Sequence, residues 1–106
     1  MMPRIMYVEL KDGHGDRGPA RIGRVRFSRT GVTVYYRDLE LQRCRGIAGN
    51  YRDAATGEEY WVSGCKRNGQ DRHWAGGGPV FVDEDVRAEY WTEIRGLPHR
   101  KDDPIA

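Results

Sequence analysis

Polar and apolar residues alternate along most of the first 82 positions. In Arg4 to Leu10 (RIMYVEL), Met6, Val8 and Leu10 share one face and Ile5, Tyr7 and Glu9 the other, the period-two signature of a strand. Ile22 to Arg29 (IGRVRFSR) sets Gly23, Val25 and Phe27 against Arg24, Arg26 and Ser28. Val32 to Arg37 (VTVYYR) sets Val32, Val34 and Tyr36 inward against Thr33, Tyr35 and Arg37, with the β-branched and aromatic content of a strand. Between them Arg29-Thr30-Gly31 predicts a hairpin turn, because glycine takes positive φ without a steric penalty. Leu39 to Cys44, Asn50 to Asp53, Glu58 to Ser63 and Pro79 to Val82 complete the set of short strands. KDGHGDRGPA after the first strand, and SGCKRNGQDRHWAGGG at 63–78, read as glycine-rich loops.

The period changes at Asp83. Residues 83–95 predict a helix, with Asp83 as N-cap and Glu84 and Asp85 in the first turn, where the helix dipole favours acids. Val86, Tyr90, Trp91 and Ile94 fall on one helical face, which packs on the sheet. Gly96 and Pro98 end the helix. Residues 98–106 read as a flexible tail. The expected fold is therefore mainly β with one C-terminal α-helix in a single domain over 1–97. A small SH3-like barrel capped by the helix is the first expectation, and a curled antiparallel sheet with the helix on one face the second.

Length and composition narrow the functions. A chain of 106 residues holds one small core. No apolar run of membrane-spanning length and no signal-peptide pattern occur, so the expected location is the cytoplasm. There Cys44 and Cys65 remain thiols. The three histidines are scattered, which predicts no metal site. Residues 1–82 carry 14 Lys and Arg against 9 Asp and Glu, and residues 83–106 carry 4 against 7. The net charge of +2 thus hides a basic body and an acidic end, which directs attention to anionic partners.

IGRVRFSRTGVTVYYRDLELQR, GEEYWVSG, KRNGQDRHWAGGG and DEDVRAEYWTEIRG together resemble a family of short, single-domain bacterial proteins over roughly residues 5–97. Some members of that family carry the label of a thiamine-diphosphate-dependent synthase. A strand-rich chain of this length lacks the large α/β scaffold such a cofactor needs, so no cofactor is expected. The resemblance implies no catalytic residues.

Three functions remain. The first is binding of RNA or single-stranded DNA. Lys66, Arg67 and Arg72 would reach phosphates, Asn68 would read base edges and Trp74 would stack a base, beside a sheet face bearing Arg24, Arg26, Tyr35 and Arg37. Arginines of that face pairing with acids on neighbouring strands would remove this site. The second is protein binding by the same loop, with Tyr35, Tyr51, Trp61 and Trp74 as the aromatics of a groove. The third is an enzyme: a metal-independent ribonuclease in which His73 acts as base beside Lys66, Arg67 or Arg72, or instead a Cys65 nucleophile with His73 as its base.

Overall fold

The computed structural model describes residues 2–73 and 76–106. Seven strands follow in chain order: β1 (Met2–Leu10), β2 (Ala20–Phe27), β3 (Thr33–Tyr36), β4 (Leu39–Arg43), β5 (Tyr51–Asp53), β6 (Glu59–Gly64) and β7 (Val80–Val82). Each lies where alternation predicts it. The first six close on themselves in the order β1-β6-β5-β4-β3-β2, every pair antiparallel, because β1 also pairs with β2. The expected small β-barrel with a helix at its C-terminal end is what the chain forms. β7 adds a parallel strand to the free half of β2, with Ile22 opposite Val82.

Alternation fills the barrel. Met6, Val8, Val25, Val34, Tyr36, Leu41, Tyr51 and Val62 form its interior. Val32 was expected inward with them but lies outside the strand and is exposed. Gly23 belongs to the inward set for a steric reason: a Cβ there would collide with the Tyr36 ring and the Asp83 carboxylate.

The outward face around Tyr7 of β1 and Ala20 and Ile22 of β2 is buried as well, because a second core covers it. Tyr7, Ala20, Ile22, Val82, Val86, Tyr90 and Trp91 pack together there, with Ile5, Cys65 and Ile94 at the margin. Trp91 and Tyr90 meet edge to face, 5.0 Å between ring centres. The predicted helical face is thus the one that docks. The helix itself is irregular: a 3-10 turn (Glu84–Val86), one α turn (Arg87–Glu89) and a π turn (Tyr90–Ile94). The wide last turn presents the adjacent Tyr90 and Trp91 to the sheet together, and Gly96 closes it at φ +64°.

Two expectations change. Asp83 occupies the N-cap position but makes no capping bond. Its carboxylate turns to the barrel and accepts from Tyr36 Oη, Arg21 Nε (3.0 Å) and Arg37 Nη2 (2.8 Å). Residues 98–106, expected to be a flexible tail, form a strap. Trp91 Nε1 donates to the Asp103 carbonyl (2.8 Å), Arg100 stacks 3.9 Å from the Trp91 ring, and Ile105 bridges Phe81 on β7. The indole N–H needs a partner once buried, and the strap supplies it. Among the described residues no helix is long and apolar enough to cross a membrane.

Candidate binding cleft

A cleft of about 920 Å³ opens on the flank of the barrel, between β6 and the 64–78 loop. Its base is a buried carboxylate. Glu9 is 1% exposed on the outward face of β1, opposite Trp61 of β6. Tyr7 Oη donates to Glu9 Oε1, while Lys11 Nζ (3.1 Å) and Arg72 Nη1 (3.3 Å) sit at Oε2. Lys11 also donates to Asp16 (2.7 Å). Burial opposes the Lys11 charge, but hydrogen bonds to Asp16 and Glu9 outweigh it and hold its pKa above the ordinary value. Burial and the neighbouring Glu9 push the Tyr7 phenol up, so it remains a donor.

Arg72 fastens the cleft wall. Its guanidinium donates to the carbonyls of Asp16 (2.9 Å), Gly18 (2.9 Å) and Pro79 (3.2 Å), and its side chain is 9% exposed. The expected phosphate ligand is thus a cross-brace between two loops. Lys66 and Arg67 remain exposed, with no ion pair among the described residues. Their loop is ordered by its own side chains: Lys66 N donates to Asp71 Oδ1 (2.7 Å) and Gln70 N to Asn68 Oδ1 (2.9 Å). Asn68 therefore serves the turn with the oxygen expected to read a base edge. Arg95 clips the loop to the helix through the Arg67 carbonyl (2.9 Å).

The hairpin arginines lie elsewhere. Arg24 pairs with Glu89 on the helix (3.0 Å), Arg37 with Asp83, and Arg26 stacks 5.8 Å from the Tyr35 ring. Tyr35 in turn stands opposite Glu40. The helix holds Arg24 through Glu89 and the loop through Arg95 and the Arg67 carbonyl. Of the expected binding cations, Arg24 and Arg37 are thus engaged by carboxylates and Arg26 by a ring. Trp61, by contrast, faces outward at 39% exposure and lines the cleft together with Lys66, Gln70 and His73. Trp74 lies outside the described residues.

His73 Nδ1 is 3.6 Å from Asp16 Oδ2. A carboxylate beside an imidazole orients a base, but the expected nucleophile is not activated. Burial pushes the Cys65 thiol up to about 12, and its Sγ contacts the Ile5 carbonyl (3.8 Å). A thiol held in that state does not attack at neutral pH.

Alternation did not single out Glu9, Lys11, Asp16 or Asp83 as site residues. Glu9 looks like any solvent-facing strand acid, and its cations arrive from position 11 and from position 72. Compared with protein-family models, curated proteins and solved structures, the chain has no match in any of the three. Function is therefore read from the site itself.

Proposed function

We propose that the protein is a binding module rather than a catalyst, and that a polypeptide segment docks in the Trp61 cleft. The observation that carries this reading is an outward tryptophan beside a charge-balanced lining. Glu9, Asp16 and Asp71 stand against Lys11, Lys66 and Arg72. A polyanion gains little from such a surface, whereas an aromatic anchor with polar neighbours suits a protein contact. Ile47, fully exposed, adjoins Ala48 of the cleft lining and extends the apolar rim. The SH3-like reading of the barrel belongs here, because such domains hold extended peptides against exposed aromatics. A cytoplasmic setting suits the two free thiols.

Single-stranded nucleic acid is the second reading, favoured by the exposed Lys66 and Arg67 on the loop that borders the cleft, which form no ion pair among the described residues. The two separate in one experiment: wild type and Trp61→Ser as baits in native lysate, with and without nuclease. The expected result is a protein partner that survives nuclease and weakens roughly 30-fold in Trp61→Ser, as for an aromatic hot spot. Capture abolished by nuclease transfers the site to nucleic acid. With two free cations the salt slope would then be about −1.4, or roughly a sevenfold loss between 50 and 200 mM salt. Capture unchanged by Trp61→Ser overturns both readings.

A further inference from the structure

The open end of the barrel carries a second cavity, of about 480 Å³, away from the Trp61 cleft. Its floor is apolar, made by Met6, Phe27, Tyr51 and Val62. Two arginines stand at its rim, and both occupy inward positions of their strands. Arg4 is in phase with Met6 and Val8, and Arg43 with Leu39 and Leu41. Register sets Arg43 beside Tyr51 and Arg4 beside Val25, both part of the barrel interior. Inward positions of a small barrel are normally filled by apolar side chains. Arg4 and Arg43 lie where the barrel opens and both are exposed, so their guanidinium groups are accessible to a ligand.

No carboxylate lies within ion-pair distance of Arg4 or Arg43 among the described residues. On the flank, by contrast, Arg21, Arg24, Arg37 and Arg72 are all neutralised. Both guanidinium groups border the same cavity, so an anion entering it meets positive charge from two strands. Space for that anion exists because the neighbouring inward position on β6 is a glycine. A Cβ at Gly64 would meet nothing within 4 Å. A cavity of this volume, with an apolar patch beside polar groups, falls in the size range of small-molecule sites.

We propose that the barrel mouth binds a small molecule with a carboxylate or phosphate head on a compact apolar body. The head engages Arg4 and Arg43, whose planar forks match such oxygens. The body rests on Met6, Phe27, Tyr51 and Val62.

The test titrates phenyl phosphate, benzoate and inorganic phosphate into the full chain and follows amide chemical shifts. The expected result is saturable shifts at Met6, Val62 and Gly64 with an aromatic anion, and binding of inorganic phosphate at least about tenfold weaker. Arg4→Ala and Arg43→Ala should each weaken binding about tenfold or more, as for a lost charge-assisted hydrogen bond. Gly64→Leu should plug the mouth and abolish the shifts. Arg4→Glu, at an exposed position, gives the same loss by charge reversal should Gly64→Leu fail to fold. Three results overturn the proposal: no shifts at the mouth with any probe at millimolar concentration, shifts undiminished in Arg4→Glu, or inorganic phosphate binding as tightly as the aromatic anions. The Trp61 bait experiment is unaffected by any of them.

Discussion

On the flank of the barrel, Glu9 and Asp83 each gather two cations and one phenol; at the mouth, Arg4 and Arg43 border a cavity with no carboxylate. The flank clusters are built alike and differ in burial. Lys11 and Arg72 have side chains 9% exposed, whereas Arg21 and Arg37 are 40% and 53% exposed. Positive charge in a sequence is therefore not positive charge available to a ligand. On the flank it holds loops and the helix in place, and only where no acid converges does it remain for binding.

The largest effect should come from Glu9→Ala. It takes the acceptor from the buried Tyr7 hydroxyl and a carboxylate from both Lys11 and Arg72, which keep Asp16 and three carbonyls respectively. Removal of one partner of a buried pair costs about 3–5 kcal/mol. Urea unfolding should show this as a fall in midpoint with little change in slope. A loss under 1 kcal/mol would mean that water reaches the cluster.

Asp83→Ala should cost less, about 1–3 kcal/mol. It removes the acceptor of the buried Tyr36 hydroxyl, but its arginines are partly solvated and turn to water. If thermal unfolding ranks Asp83→Ala above Glu9→Ala, burial is not what separates the two clusters.

Arg37→Gly sharpens the contrast within one residue. Arg37 holds φ +52° in the β3–β4 turn, a conformation that glycine adopts freely. Loss of the Asp83 ion pair and relief of the backbone oppose each other, so the net change should stay within about 1 kcal/mol. Arg37→Val loses both and should be clearly less stable than Arg37→Gly.

The smallest effects are in pH dependence, and two aspartates should give opposite signs. Lys11 holds Asp16 below its ordinary 3.8 through a hydrogen bond. Its contribution is present at neutral pH and is lost as pH falls below that value. Burial raises Asp71 despite the Lys66 N–H it accepts. The folded state then binds that proton more tightly than the unfolded chain, so stability declines as pH rises from 3.8 through the raised pKa. Asp71→Asn retains an oxygen for Lys66 N. It should match or exceed wild type at pH 7 and lose that advantage in acid, as read by unfolding at pH 3 and pH 7.

Much of the barrel was legible because its information is local. Alternation in IGRVRFSR and VTVYYR marks strands, and the Val86, Tyr90, Trp91, Ile94 spacing marks the helical face that docks. Alternation reveals two faces but not what covers the second one. Tyr7 and Glu9 fall on the face opposite Met6 and Val8, and there a helix some 80 residues later buries Tyr7, while Glu9 is closed over by Lys11 and Arg72. Arg21 and Asp83 are 62 positions apart, so nothing in the local pattern announces their pairing. The candidate site suffered most from this, because three of its six cations, Arg24, Arg37 and Arg72, are bound by acids from distant elements. The exposure of Trp61, by contrast, depends on its own strand and on no distant partner.

The strap has a consequence for how the molecule behaves in a crowd. A sheet rolled into a closed cylinder offers no unpaired rim to another chain. The short parallel strand Val80–Val82 reopens one, and the hydrogen bonds from Val82 N to the Pro104 carbonyl and from Ala106 N to the Val80 carbonyl cover it. A chain trimmed after residue 97 would bare that rim together with one side of the Trp91 indole. Its failure would be self-association into strand-paired aggregates before any loss of the barrel itself.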